Sequence, residues 1–342
     1  MFNSLNKYLS DIKEDITVFG RTSFGEGGEL RLSWSASGFG VKFVGSAVAV
    51  FLHPYPDYED SEGMYASLKL EIDGVGHKSA VTRDSRIVFA DGLDDGEHTL
   101  RLFRASAGDE VVRVSAIQVV GAAPAILPYR PEYNFRLEIL GDSITCGYGA
   151  FRGIRTGYTC FEEDATASYG FLASEYLGAE LRLVSVSGLG LVKSCSGSTV
   201  TRFIDFFKRS ERRPESHPHD FTSWQPDVLV INGGTNDAGS GTVSDTDFEK
   251  GIKELYSFAR SVYPEAHILF FYGAMGHAYR KVYEKTVGVL AQKDDRVSLK
   301  IVDAVSEEKN EVAVASHPSV IGQKRLGKEL TEELDRILSD LE

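Results

Sequence analysis

Cysteine is scarce, basic charge is in deficit and long hydrophobic runs are missing from this 342-residue sequence. The three cysteines, Cys146, Cys160 and Cys195, are an odd number and show no Cys-x-x-Cys spacing. That argues against a disulfide framework and against a structural zinc site. Lys and Arg total 37 against 50 Asp and Glu, a net charge of −13. Such a surface repels phosphate backbones and anionic lipid, so neither a nucleic-acid nor a membrane partner is expected. No stretch is long and apolar enough to span a bilayer. The start, MFNSLNKYLSDIKEDITVF, has no apolar core of the length an export signal needs. The expectation from the sequence as it stands is a cytoplasmic location, or a secreted one if a leader has been removed. With 42% apolar and 25% charged residues, disorder, collagen and coiled coil are excluded as whole-chain readings. The length suits one large domain or two ordinary ones.

The chain changes rhythm partway. Up to about residue 125, short runs rich in β-branched and aromatic residues recur at Ile16–Phe19, Leu30–Trp34, Ala47–Leu52, Ala66–Ile72, Arg86–Ala90, His98–Phe103 and Val111–Val120. Turn signals such as Asp73–Gly74 and Asp91–Gly92 separate them. Leu68, Leu70 and Ile72 alternate onto one face, as do Leu100 and Leu102, with Phe103 out of step. This pattern predicts a jelly-roll-like β-sandwich over 1–125. Gly121–Pro131, with three prolines, reads as a linker. From there the buried-strand runs Arg136–Leu140, Arg182–Val186, Asp227–Asn232, His267–Tyr272 and Ser298–Val302 alternate with helical patterns. The last helix places Leu326, Leu330, Leu334 and Ile337/Leu338 on one stripe. Strand–helix alternation over 126–342 predicts a doubly wound α/β domain with a mainly parallel sheet.

Three segments carry chemistry. In LEILGDSITCGYG, Leu137–Gly149, a buried strand runs into Gly141, Asp142 and Ser143. Ligand crevices in open α/β sheets lie beyond the carboxyl ends of the strands, where a serine nucleophile would sit. The plain alternative is a helix N-cap. In DVLVINGGTND, Asp227–Asp237, a second buried strand ends before Asn236, whose amide could face a developing oxyanion or simply belong to a turn. In SHPS, Ser316–Ser319, His317 lies just ahead of the final helix, where it could fold back over the sheet as a general base or simply belong to a loop. His217 and His219, beside Pro218 in a basic irregular stretch, have no such context and read as surface residues.

In this order and on this pattern, GDSIT, GGTND and HPS resemble the SGNH/GDSL hydrolase superfamily. The resemblance implies Ser143 as nucleophile, His317 as base and Asn236 in the oxyanion hole, together with the backbone N–H of Ser143. It also implies a glycine after the second strand, for which VSVSGLG offers Gly188, with Gly190 in reserve. The motifs GDSITCGYG, TASYGFLASEYLGAELRLVSVSGLGLV and PDVLVINGGTND behind a β-sandwich look most like carbohydrate esterase family 2. Its members remove O-acetyl groups from plant polysaccharides such as xylan and glucomannan. The resemblance implies an acetylated polysaccharide or oligosaccharide as substrate and no metal or cofactor; no oligomeric state is assigned.

The chain departs from the superfamily at Val314, where many members carry an Asp three residues before the histidine. A dyad is therefore expected, with a carbonyl near Val314 or Ala315 accepting from His317 Nδ1, or else Asp303 supplying a carboxylate from another loop. Asp142 and Asp237 are expected to tie the motif loops together. Tyr148, Tyr158 and Tyr279, with Phe161, are candidates for stacking on a sugar. The acidic, aromatic loop His53–Gly63 reads as solvated, and Cys146 as a small buried residue. Two further readings stand beside the acetyl esterase. One is another SGNH acyl hydrolase, a lipid esterase or thioesterase; the other is a carbohydrate-binding protein with an inactive esterase domain.

Overall fold

The computed structural model describes residues 2–53, 66–81, 86–107, 110–153, 161–213, 217–239, 241 and 243–341. The loop reading at His53–Gly63 lies, beyond His53, outside the described residues, as do Tyr158 and Cys160. The chain divides into two compact units, one running to Glu132 and also holding Phe161, the other made of the remaining described residues from Tyr133 onward.

The first unit is built from two antiparallel six-stranded sheets. One contains Thr22–Phe24, Leu30–Leu32, Val112–Gly121, Ala47–Leu52 and Arg86–Ala90 in that order, with Asn3–Tyr8 also on Val112–Gly121. The other contains Ala125–Leu127, Gly38–Gly45, Gly96–Arg104, Ser67–Ile72 and Val75–Ala80, with Thr17–Phe19 on Gly38–Gly45. Leu68, Leu70, Leu100 and Leu102 from the second sheet join Val48, Val50, Val114 and Val119 from the first in one buried core. Phe103 points the other way and stacks on Phe19 at 5.0 Å, the consequence of its odd place in the period-two pattern. Gly38–Gly45 carries too many glycines to read as a strand. Glycine is required there at Gly38, where a Cβ would lie 1.8 Å from the Leu102 carbonyl oxygen. Ala125–Leu127, inside the stretch read as a linker, pairs with Lys42–Val44. The boundary expected at 125/126 therefore falls within a strand, because the Pro-rich segment still supplies a free sheet edge with a partner.

The second unit has a five-stranded parallel sheet, here β1 (Phe135–Gly141), β2 (Ala179–Ser185), β3 (Val228–Asn232), β4 (His267–Tyr272) and β5 (Val297–Ile301), in the order β2-β1-β3-β4-β5. Its helices are α1 (Ser143–Cys146), α2 (Tyr169–Leu177), α3 (Phe203–Phe207), α4 (Thr235–Gly239), α5 (Asp245–Val262), α6 (Arg280–Ala291) and α7 (Val320–Leu341). β3 and β4 are buried along their whole lengths, which is why they read as unbroken apolar runs. Glu138 is the buried charged residue of β1; its carboxylate accepts a hydrogen bond from Tyr263 Oη at 2.7 Å. α7 packs Leu326, Leu330, Leu334 and Ile337 inward, each at most 1% exposed. Strand order reverses around β1, so the carboxyl ends of β1, β2 and β3 open side by side at the point where such sheets bind ligands.

Candidate active site

β1 delivers Ser143 and β3 delivers Asn236, as the positions of GDSIT and GGTND require. The chain turns out of β1 at Asp142, whose carboxylate Oδ1 accepts the Ile144 N–H at 3.0 Å and so caps α1. α1 lasts a single turn, because Gly147 takes a left-handed conformation, φ 72°, and closes it. Ser143 thus stands at the first position of a one-turn helix and is 4% exposed. The N-cap reading belongs to Asp142, which leaves the Ser143 hydroxyl for another partner.

That partner is His317, whose Nε2 lies 2.7 Å from Ser143 Oγ. On the other side of the ring, Nδ1 faces the Ala315 carbonyl at 3.0 Å and the Val314 carbonyl at 3.3 Å. A carbonyl only accepts, so Nδ1 carries the hydrogen and Nε2 presents a lone pair to the serine. No carboxylate is needed to fix this tautomer, and Asp303 is exposed and not at the ring. Ala315 and Ser316 have φ of 51° and 62°, a left-handed kink that turns the Ala315 carbonyl back under the imidazole. Burial pulls the His317 pKa below its ordinary 6.5, opposed by the two carbonyls, so the ring is neutral at pH 7.

Asn236, 9% exposed, donates through Nδ2 to the Leu189 carbonyl at 2.7 Å and to Asp142 Oδ2 at 3.2 Å. The amide is therefore tied at once to the β1 turn and to the segment after β2. Asp142 is fully buried, and desolvation with the nearby Asp237 charge pushes its carboxyl up to about 7. Asp237, next in sequence to Asn236, accepts the backbone N–H groups of Leu191, Val192 and Lys193 at 2.9, 2.7 and 3.1 Å. Burial outweighs those three donors and holds its carboxyl above the ordinary range. This is the loop-tying role expected of both aspartates. Gly190 serves that clamp: a Cβ there would sit 2.4 Å from Asp237 Oδ2. Gly188 has φ of 81° and receives the Cys195 N–H on its carbonyl at 2.8 Å.

The aromatic candidates divide. The half-buried Tyr148 ring lies against His317, centroids 4.4 Å apart. Tyr279 is a correction: it is 1% exposed, stacks on Phe248 at 3.9 Å and donates its hydroxyl to the carbonyls of Val243 and Asp237 at 3.0 and 3.2 Å. It stands at the N-terminal boundary of α6 inside the core and offers no face to a substrate. Phe161 is 47% exposed, and Tyr158 lies outside the described residues. Cys146 is buried and Cys195 exposed. Among the described residues, no three His, Cys, Asp or Glu side chains are grouped to hold a metal, and no helix is long and apolar enough to cross a membrane.

The signature of the GDSL-like lipase/acylhydrolase family matches residues 139–325, and that of the carbohydrate esterase 2 N-terminal region matches 18–122. A cellulase/esterase, CelE, from Acetivibrio thermocellus is 27% identical over 267 residues, 75% of this chain and 31% of that protein. An acetylxylan esterase / glucomannan deacetylase from Cellvibrio japonicus is 26% identical over 255 residues, 72% of this chain and 68% of its own length. The chain thus spans about a third of the length of the first of these relatives. The structure of a family two carbohydrate esterase from Clostridium thermocellum in complex with cellohexaose superposes with a TM-score of 0.84 at 24% identity, covering 95% of this chain and 99% of that one. At that identity the likeness speaks to fold.

Proposed function

The chain belongs to the GDSL-like lipase/acylhydrolase family, and on that premise we propose that it is a serine esterase removing O-acetyl groups from acetylated plant polysaccharides or oligosaccharides. The observation that carries the reading is the 2.7 Å approach of His317 Nε2 to Ser143 Oγ, with Nδ1 held on backbone carbonyls. In the mechanism we infer, Nε2 takes the hydroxyl proton as Oγ attacks the acetyl carbonyl carbon. The backbone N–H groups of Ser143 and Gly188 meet the oxyanion. So does Asn236, through the hydrogen now spent on the long 3.2 Å contact with Asp142. The imidazolium then gives its proton to the leaving sugar oxygen, and the C–O bond to the sugar breaks. Water, deprotonated by His317, attacks the acetyl-serine, and acetate leaves as Oγ recovers its proton.

The missing acid at Val314 does not disable this scheme, because its ground-state task, orienting the ring, falls to the Ala315 carbonyl. A dipole stabilises imidazolium less than a carboxylate does, which fits the depressed histidine pKa. The substrate class is supported by the relatives, one an acetylxylan esterase / glucomannan deacetylase, and by the cellohexaose bound to the structural neighbour. Tyr148, beside His317, is the aromatic we assign to the sugar side of the site. The test is acetate release from acetylated xylan and glucomannan, alongside p-nitrophenyl esters of increasing chain length. Turnover of acetyl substrates that is lost in Ser143→Ala is expected. Preference for acyl chains of about eight carbons or more would overturn the acetyl assignment, leaving a lipid esterase or thioesterase. No turnover on any ester would overturn the enzyme reading in favour of carbohydrate binding.

A further inference from the structure

The distance on which the proposed chemistry depends, Ser143 to His317, spans two separately folded segments: a one-turn helix after β1, and a kinked loop 303–319 that precedes α7. Something must hold one against the other. Two contacts from Arg325 lock the loop to α7, and a third closes the loop on itself. Arg325 pairs with Glu311 at 2.9 Å and donates to the Asp303 carbonyl at 3.0 Å, while Ser319 N–H meets the Glu311 carbonyl at 2.7 Å. These make the loop and the first turns of α7 one body but do not reach the serine.

Gln323 does. It lies on the first turn of α7, its own N–H on the Ser319 carbonyl at 2.7 Å, and its side chain is fully buried. Nε2 donates to the carbonyl of Ile144, the residue after the nucleophile, at 2.9 Å. Oε1 accepts from Tyr169 N–H, the first residue of α2, at 2.8 Å. Both partners are backbone groups at helix ends: the Tyr169 N–H opens α2, and the Ile144 carbonyl, which takes the Gly147 N–H at 3.3 Å, has a second lone pair to offer. One only accepts and the other only donates, so the amide has a single orientation. Tyr169 closes the frame from its other end, its hydroxyl 2.9 Å from Thr145 Oγ1 on α1. The sequence carries a signal for this: position 323 continues the buried stripe of Leu326 and Leu330, where an apolar residue is the rule and a glutamine stands instead.

We propose that Gln323 is a positioning residue that sets the separation of His317 from Ser143, by bridging the histidine-bearing body to the helix that carries the serine. The proposal rests on the esterase reading for its catalytic consequence, although the bridge itself is a property of the fold. Misplacing reacting groups by about 1 Å can cost about 100-fold in rate, so loosening the bridge should act on kcat and leave KM alone.

The experiment compares wild type, Gln323→Met (same length, neither bond), Gln323→Glu (keeps the acceptor for Tyr169) and Leu330→Ala. The last loosens α7 at a buried site and removes no hydrogen bond to Ile144 or Tyr169. Each is measured for kcat and KM on p-nitrophenyl acetate, for urea unfolding, and for the titration of the His317 imidazole by NMR. The expected result is a kcat lower by about 10-fold to 100-fold in Gln323→Met, KM within about twofold, and a His317 titration moved up toward 6.5 as the ring gains water. Leu330→Ala should lose stability while keeping wild-type kcat and titration. A Gln323→Met that loses stability as Leu330→Ala does, with kcat and titration unchanged, overturns the proposal. So does failure of both Gln323 variants to fold when Leu330→Ala folds, since the residue would then be holding the fold and not the site. If the wild type hydrolyses no ester, the esterase reading fails, but the titration arm still decides whether Gln323 holds the ring.

Discussion

Replacing Asp237 by alanine should damage the second unit more than any surface change, by an amount the structure sets. The carboxylate accepts three backbone N–H groups from Leu191, Val192 and Lys193. Hydrogen bonds to a charged group contribute about 1.5–3 kcal/mol each, which puts a ceiling of about 4.5–9 kcal/mol on the three. The ceiling is not reached, because the Val192 and Lys193 amides are half-buried and can turn to water, while Leu191 N–H is buried. The expected loss is therefore about 3–4 kcal/mol. Asp237→Asn separates the terms further. Its single acceptor oxygen can keep Val192 and Lys193, which share Oδ1, but its NH₂ then faces Leu191 N–H, donor against donor, at a cost of about 1.5–3 kcal/mol. Urea unfolding followed by fluorescence can resolve this, because Trp34 lies in the first unit and Trp224 in the second. The Trp224 transition should move, and kcat should fall with it, because the segment holding Gly188 and Leu189 runs directly into the clamped amides. An Asp237→Ala protein within about 0.5 kcal/mol of wild type, the range of an ordinary surface substitution, would refute the clamp.

Other outcomes follow from the same geometry. The acidic limb of kcat/KM should have its midpoint below 6.5, since burial depresses the His317 pKa and the ring must be neutral to act as base; a midpoint above 7 would contradict this. Asp142 has its folded pKa raised from 3.8 to about 7, so the unfolded chain loses that proton first and the group's contribution to stability declines as pH rises through that window. The stability of Asp142→Asn relative to wild type should accordingly rise between pH 3.8 and about 7, measured by paired urea titrations; a flat difference would show that Asp142 titrates normally. Tyr279→Phe should cost about 1 kcal/mol through loss of the one hydroxyl hydrogen shared between the Val243 and Asp237 carbonyls and leave KM for acetylated xylan unchanged. A raised KM would return Tyr279 to the substrate.

Much of this site was legible because its chemistry sits at strand ends. Buried parallel strands write themselves as short apolar runs, so the residues that follow Leu140 and Asn232 are placed by the pattern alone. The dyad was legible from an absence, Val314 where an acid is usual, but not the means by which the loop compensates. Left-handed φ at Ala315 and Ser316 has no sequence signature when the residues are not glycine or asparagine. Tyr279 looked like a loop aromatic because it precedes α6, and only the packing of Phe248 against it and the inward course of its hydroxyl reveal a core residue. Gly38–Gly45 shows no strand pattern for the opposite reason: close approach of Leu102 demands the glycine that hides it. Gln323 escaped because one polar residue on a helix stripe is easily read as noise, whereas burial turns it into a bridge.

The central claim is that Ser143, activated by a histidine leaning on backbone carbonyls, takes the acetyl group from the sugar onto itself. Rapid acid quench during turnover of p-nitrophenyl acetate, followed by peptide mass spectrometry, measures this directly. An acetyl group on the peptide containing Ser143, absent in Ser143→Ala together with turnover, is the predicted result. Turnover that persists in Ser143→Ala, or an acetyl group accumulating on a different residue, would contradict it.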